Sequence, residues 1–481
     1  MITFFVSIIA LFAGYFFYSR IVEKIVGIDP ARKTPALQQA DGVDFVVMPW
    51  WKIFLIQFLN IAGLGPIFGA VAGAMWGPAA FLWIVLGSIF AGGVHDYCSG
   101  MLSVRHNGKS IAEISGHYLG NGIKQFMRAF TVILMIIVGA VFILGPARIL
   151  AGMTEGYVGI GIWTSIILVY YILSTILPID KVIGRLYPFF GFALIFMALG
   201  ITVAIFTQRI VIPELTVSSL SNLHYSPERF PLFPMLFITI ACGAVSGFHA
   251  TQSPIMSRCL SNEKQGRSIF YGAMITEGLV ALIWAAIGMS FYGSVGELNQ
   301  EMLRNHENAA IVVSEISTSL LGKVGGFLVL LGVVAAPITS GDTSFRSARI
   351  IIADFMNVNQ KPISNRLFIS IPLFIVGFLL TQVNFGVIWR YFAWTNQTLA
   401  TIVLWTITAY LMHEKKNYWI ALIPSVFMTV VVTAYILIAP EGFSLPHGFS
   451  ITIGISVALT LLLAALVKVY RKKEIALNVN E

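Results

Sequence analysis

The sequence predicts an all-α protein that crosses a membrane many times, built around two five-helix halves of opposite orientation. Three observations carry that prediction. Of 481 residues, 57% are hydrophobic and 11% charged, whereas a soluble chain of this length carries about a quarter charged residues. Such a chain has lipid as the solvent for most of its surface. The apolar residues gather into thirteen runs, each near the roughly 20 residues that a helix needs to cross a bilayer. Two of those runs are interrupted by glycine and proline at matching positions about 180 residues apart.

In chain order the expected spans are 2–19, 53–77, 79–103, 126–146, 159–178, 187–207, 232–255, 269–292, 325–345, 364–381, 388–411, 418–438 and 449–469. Backbone in hydrocarbon must bond to itself, and spans of this length do so as helices. The first run, within MITFFVSIIALFAGYFFYSR, has no basic n-region and no A-x-A-like site. It reads as a retained helix rather than a signal peptide. Residues 1–52 are that helix and a connector, 53–207 a first set of five spans, 208–231 a connector, 232–411 a second set of five, and 412–481 two more helices with a basic tail. An odd number of spans per set inverts the second relative to the first. The stretch NHENAAIVVSEISTSLLG within 293–324 is amphipathic and reads as a helix lying over the outer mouth, either as a solvated loop helix or as a gate.

With the N-terminus outside, 24 of the 30 Lys and Arg residues fall on the cytoplasmic side, among them Lys181, Arg185, Lys361 and the tail residues Lys468, Arg471, Lys472 and Lys473. The exceptions are Arg148, Arg209, Arg229, Arg304, Lys323 and Arg390. That asymmetry fixes the expected orientation. It also explains the net charge of +8 as juxtamembrane anchoring, so no nucleic-acid partner is expected. Cys98, Cys242 and Cys259 form no CxxC pair and read as buried thiols. Trp50, Trp51, Trp389, Tyr391, Tyr418 and Trp419 stand at span ends, where aromatic residues anchor helices to the interface. No P-loop, HExxH or GxSxG is present, so the chain reads as neither an enzyme nor an ATP-driven pump, and no cofactor is expected.

The first interrupted run is IAGLGPIFGAVAGAMWG, residues 61–77. Pro66 cannot donate to the carbonyl of Ala62, and Gly63 and Gly65 remove the local preference for helix. Ala62, Gly63, Leu64, Gly65 and Pro66 therefore read as a break. A half-helix starting near Ile67 would direct the amides of Ile67, Phe68 and Gly69 into the gap, where an anionic group is favoured. The unwound carbonyls of 62–65 suit a cation instead. Gly69, Gly73 and Gly77 form a packing ridge. The second run, ACGAVSGFHATQSP at 241–254, has the same make-up, with Pro254 facing the carbonyl of Ala250. Paired breaks in two inverted halves point to the binding site of a secondary transporter; the alternative is two unrelated GxxxG packing helices.

Among the acidic residues, only Asp96, Glu277 and Asp342 lie inside expected spans, and such groups are functional candidates by default. Asp342 stands among Thr339, Ser340, Thr343 and Ser344, which suits a hard cation or a carboxylate that binds a proton. The alternative is a helix-end cap answering Arg346 and Arg349. Asp96, beside His95, fits either proton transfer or an ion pair; Glu277 fits a relay or an interhelical pair. His249 fits substrate contact, titration or a structural hydrogen bond. Asn396 and Gln397 read equally as interhelical glue or gate contacts.

The blocks FLNIAGLGPIFGAVAGAMWG, FAGGVHDYCSGMLSVRHNGKSIAEI, ITIACGAVSGFHATQSPIMSRCLSNEKQGRSIFYGAMITEGLVALIWAA and APITSGDTSFRSARIIIADF resemble the carbon starvation protein A (CstA) family of permeases over about residues 50–410. The resemblance implies a bacterial inner-membrane transporter used under nutrient limitation, associated with peptide uptake and in some relatives with proton-coupled pyruvate uptake. It also implies the amino acid–polyamine–organocation superfamily and its LeuT-like fold of two inverted five-helix repeats, here with one helix before and two after. By similarity, 62–66 with Ile67, Phe68 and Gly69, and Gly243, Ser246, Gly247, His249, Thr251 and Gln252, would line the substrate site. Thr339, Ser340, Asp342 and Thr343, with Asp96 and Glu277, would serve ion coupling. Asp342 replaces the usual hydroxyl pair, which leaves sodium (at Thr339, Asp342 and Thr343) and proton both open. The expected function is ion-coupled import of small carboxylate-bearing nutrients, short peptides before pyruvate, with Asp342→Asn abolishing concentrative uptake. The rival classes are a non-transporting starvation sensor and an ion channel.

Overall fold

A computed structural model describes residues 1–40, 45–154, 157–176, 183–360 and 362–478, with backbone alone at 176, 183–188, 354 and 468–478. Lys181, Lys361 and the last two residues of the 159–178 span lie outside the described residues, as do the side chains of Arg185, Lys468, Arg471, Lys472 and Lys473.

The chain is helical throughout its apolar sequence. In order come α1 (Ile2–Val26), α2 (Trp50–Ile61), α3 (Gly65–Trp76), α4 (Ala79–Arg105), α5 (Asn121–Met153), α6 (Ile160–Ile176), α7 (Ile183–Thr207), α8 (Leu232–Ile240), α9 (Gly247–Ser257), α10 (Glu263–Phe291), α11 (Val295–Arg304), α12 (Ala309–Ala353), α13 (Ile363–Leu380), α14 (Phe385–His413), α15 (Trp419–Ile438) and α16 (His447–Asn478), with a short helix, Ile111–Leu119, between α4 and α5. Among the described residues ten helical stretches are long and apolar enough to cross a membrane, or eleven when α2 and α3 count as one bent span. Among the described residues the expected spans fall on helix apart from short interruptions at 62–64 and 241–246, which marks an all-helical polytopic membrane protein.

The helix ends gather at two faces. At one, the Met1 amino group pairs with Glu214, Arg390 Nη1 meets Glu307 at 2.5 Å, Arg390 Nε meets Glu441 at 3.2 Å, and Tyr225 Oη donates to Glu307 at 2.7 Å. At the other, Arg105 donates to the Val26 carbonyl at 3.2 Å and to Tyr410 at 2.7 Å, and Arg105 and Arg32 both reach the buried Glu263, at 3.3 and 3.2 Å. Successive connections thus alternate between a Met1 face and a Val26 face.

Several local expectations change. Segment 293–324 is two helices, α11 and the start of α12, and α12 turns at Gly322, whose φ of 58° and ψ of −140° leave the helical region. Pro254 does not break its helix: α9 runs through it to Ser257, and the interruption lies upstream at 241–246. Only the Ala250 carbonyl loses a donor there, and a helix held by packing on both sides tolerates that loss. The three cysteines are buried, and no disulfide joins them. Trp50, Trp51 and Trp419 are about half exposed, as interfacial anchors should be, but Trp389 is buried.

Candidate functional site

The two breaks meet. The helix α2 ends at Ile61, and after Ala62, Gly63 and Leu64 the chain resumes as α3, bent by 53°. Pro66 sits in the first turn of α3, where a missing N–H costs nothing. The half-helix therefore begins at Gly65, two residues earlier than the sequence suggested. The Phe68 amide donates to the Leu64 carbonyl at 2.8 Å, so the expected row of free amides at Ile67, Phe68 and Gly69 is already interrupted. On the other strand of the crossing, Ala241 adopts φ 42°, a left-handed conformation that costs a non-glycine residue energy. Its carbonyl accepts from both Ala244 and Val245 at 3.0 and 3.1 Å.

Small residues bring these segments into contact. A Cβ on Gly65 would lie 2.6 Å from Cys242 Sγ and closer still to Cys242 Cβ; on Gly69, 2.7 Å from the Ile240 carbonyl oxygen; on Gly247, 2.5 Å from the Asn396 carbonyl oxygen. Ala62, Gly63, Leu64, Gly65, Pro66, Ile67, Phe68 and Gly69, with Gly243, Ser246, Gly247, His249 and Gln252, are all buried, and Thr251 is half-buried. The breaks are thus closed upon each other and upon α14.

Helix α14 satisfies the second break. Asn396 Oδ1 accepts the Phe248 amide at 2.7 Å, which caps the start of α9, while its Nδ2 donates to Cys242 Sγ at 3.2 Å and to Ser246 Oγ at 2.9 Å. Gln397 Nε2 donates to the Phe237 carbonyl at 2.9 Å, one that the unwinding releases from its helix. The polar triplet around Asn396 in an otherwise apolar span was visible in sequence. Its partner was not, because capping depends on where α14 crosses the break.

Beside this crossing runs a chain of four fully buried ionisable side chains. His95 Nδ1 is 2.7 Å from Asp96 Oδ1, Asp96 Oδ2 is 2.8 Å from His249 Nδ1, and His249 Nε2 is 3.3 Å from Glu277 Oε2. The chain links α4, α9 and α10, with His249 bridging two carboxylates. Asp96 is hydrogen-bonded to both histidines, whereas neither Glu277 oxygen has a hydrogen-bond partner among the described residues. Glu277 is held there by charge balance, so the number of protons on this chain governs the charge buried at the break. No cluster of three or more His, Cys, Asp or Glu among the described residues is arranged to hold a metal ion.

Asp342 belongs to another group. Its carboxylate accepts from Ser174 of α6 and stands 3.5 Å from Arg346 Nη2. Thr339 and Ser340 each donate to the Ala336 carbonyl, at 2.7 and 3.1 Å, and Thr343 donates to that of Ser340 at 2.8 Å. The hydroxyls thus serve their own helix. The expected ion-coupling set of Thr339, Ser340, Asp342, Thr343, Asp96 and Glu277 divides in two: Asp96 and Glu277 join His249 at the second break, and Asp342 turns toward α6 and Arg346.

Comparison with known proteins completes the picture. The family model for the carbon starvation protein CstA matches residues 1–167 and 153–323. The peptide transporter CstA of Campylobacter jejuni is 25% identical, over 87% of this chain and 77% of that one. The pyruvate/proton symporter BtsT of Escherichia coli is 28% identical over 58% of this chain and 47% of that one. Among solved structures, a mutant form of the manganese transporter of Eremococcus coleocola superposes with a TM-score of 0.54 at 14% identity, covering 90% of this chain and 99% of that one. That likeness is one of fold.

Proposed function

The chain belongs to the carbon starvation protein CstA family, and we propose that it is a secondary active transporter importing small carboxylate-bearing nutrients, short peptides first, across the bacterial inner membrane. The observation that carries the reading is the crossing of two broken helices, at Gly65 with Cys242 and at Pro66 with Gly243, beside the buried chain His95–Asp96–His249–Glu277. Unwound backbone at membrane depth needs a structural reason, and a substrate site at the crossing of two halves supplies one.

The finer architecture we assign is LeuT-like. Residues 53–207 and 232–411 form two inverted five-helix repeats joined by 208–231, with 1–52 ahead and 412–481 behind, thirteen spans in all. The Met1 face lies outside, and the Val26 face, richer in Lys and Arg, together with the C-terminus is cytoplasmic. Alternating access then separates the two breaks toward one face at a time. The coupling ion is the proton, carried by the histidine–carboxylate chain, because His249 has a carboxylate oxygen near each ring nitrogen and a proton can be held at several points along the line. A second reading, proton-coupled pyruvate uptake, draws on the similarity to BtsT.

One experiment addresses all of this. Purified protein in proteoliposomes is given labelled alanyl-alanine or labelled pyruvate, with proton and sodium gradients imposed separately. Accumulation of the dipeptide that follows the proton gradient and ignores sodium is the expected result; accumulation of pyruvate alone selects the second reading. Neither uptake nor counterflow of any carboxylate returns the chain to the class of sensors.

A further inference from the structure

Near the Met1 face, Arg148 is a half-buried cation that faces no anion among the described residues. Arg390 has two carboxylates, Glu307 and Glu441. Arg148, in α5, forms no hydrogen bond or ion pair among the described residues, and its Nε is enclosed without a partner. It nonetheless stands next to the first break. Gly145, one turn earlier, is so close that a Cβ there would lie 3.0 Å from Leu64 and 3.3 Å from Phe68. The guanidinium sits over the ring of Phe385, 5.7 Å from its centre. Phe385 in turn packs on Phe68 at 6.3 Å and stacks on Trp389 at 6.1 Å. Trp389 is 4% exposed, and its indole N–H also lacks a partner.

A guanidinium in this setting keeps its charge, and a half-buried charge without a counter-ion is costly. The guanidinium carbon lies over the ring of Phe385, and its N–H edge meets no acceptor among the described residues. That edge matches the two oxygens of a carboxylate. Phe68, Phe385 and Trp389 are buried, so water is kept from that side of the contact, which strengthens it.

We propose that Arg148 is the residue that recognises the substrate's carboxylate, in a subsite on the Met1 side of the first break, walled by Phe68, Phe385 and Trp389. The inference rests on the transport reading above and deepens it: it names the group that selects for an anionic end. Phe68 belongs to α3 itself, so occupation of this subsite bears directly on the half-helix that must move.

The test compares wild type, Arg148→Gln and Arg148→Lys in proteoliposomes, with labelled alanyl-alanine as substrate and unlabelled alanyl-alanine or alanyl-alanine amide as competitor. Wild type prefers the free carboxylate to the amide. Arg148→Gln is expected to raise KM by roughly ten- to a hundredfold with kcat little changed, as for a lost charge-assisted contact, and to compete equally with acid and amide. Arg148→Lys keeps the charge without the fork and falls between, which also guards against a Gln variant that merely misfolds. Retention of the wild-type KM and of the acid preference in Arg148→Gln overturns the proposal while leaving transport intact. An anionic lipid headgroup as the true partner also overturns it, and shows as equal losses for acid and amide that appear only in vesicles containing anionic lipid. Absence of wild-type uptake overturns the transport reading first and this subsite with it.

Discussion

The contact between the two breaks can be tested by one methyl group. Gly65 has no left-handed φ that would forbid a side chain, so Gly65→Ala tests space alone. The added Cβ would lie 2.6 Å from Cys242 Sγ and nearer still to Cys242 Cβ, and the next neighbour is Cys242 Cα at 3.7 Å, an ordinary contact. The clash therefore belongs entirely to one side chain. Overpacking of this kind costs about 1–3 kcal/mol. If the crossing closes and opens during transport, that cost falls on the closed arrangement and shifts its population roughly 5- to 150-fold. The second substitution is as informative as the first. In Gly65→Ala with Cys242→Gly both offending atoms are gone, every remaining neighbour stands at 3.7 Å or beyond, and most of the loss should return. Melting temperature in detergent and initial rates of counterflow, measured for both single variants and the double, give the coupling energy. Wild-type stability and rate in Gly65→Ala, or an additive cycle without recovery, would refute the claim that these segments touch in a state the protein must visit.

Four further outcomes follow from the same geometry. Glu277→Gln should abolish gradient-driven accumulation while counterflow continues, because His249 keeps Asp96 but loses the far end of its proton line; gradient-driven uptake at wild-type level removes Glu277 from coupling. Asn396→Ala strands the buried Phe248 amide and should cost about 1–3 kcal/mol of stability, read as a lower melting temperature. Asp342→Asn was expected from sequence to uncouple transport; with the carboxylate engaged by Ser174 and Arg346, concentrative uptake should instead survive with a modest loss of stability. On the Met1 face, burial alone would raise the Glu307 carboxyl, but Arg390 and the Tyr225 hydroxyl outweigh it and hold the group below its ordinary value. A lowered carboxylate contributes stability at and above the ordinary glutamate range and loses it as pH falls through the folded value. The melting-temperature gap between wild type and Glu307→Gln should therefore stay level from neutral pH downward and shrink only below about 4.3.

Much of the architecture was legible because lipid leaves a chain few choices. The apolar runs become helix among the described residues, since nothing else stabilises backbone at that depth; ten or eleven of them are long enough to cross a membrane, and two are interrupted by unwound backbone. Proline is the ambiguous signal. Pro66 and Pro254 look alike in sequence, yet Pro66 starts its half-helix and Pro254 lies eight residues inside one, after the real break at 241–246. A proline marks a carbonyl without a donor; whether the helix parts there depends on what packs around it. The candidate site was legible residue by residue and illegible as a set. Asp96, His249 and Glu277 each stood out as ionisable groups in membrane sequence, and so did Asp342, but only the crossing of α4, α9 and α10 joins three of them and leaves the fourth with α6.

The same dependence on crossing explains why the sequence alone gives Arg148 and Trp389 no place at the site. In sequence one is an exception to a charge asymmetry and the other an interfacial aromatic at the end of a span, and both descriptions end at the membrane surface. Phe385 changes their meaning by placing both against Phe68 of the broken helix. A half-buried cation is costly to keep, and where it faces no anion among the described residues, a bound anion would offset that cost. That makes the exceptions to a topology rule, rather than the residues that obey it, the place to look for a transporter's specificity.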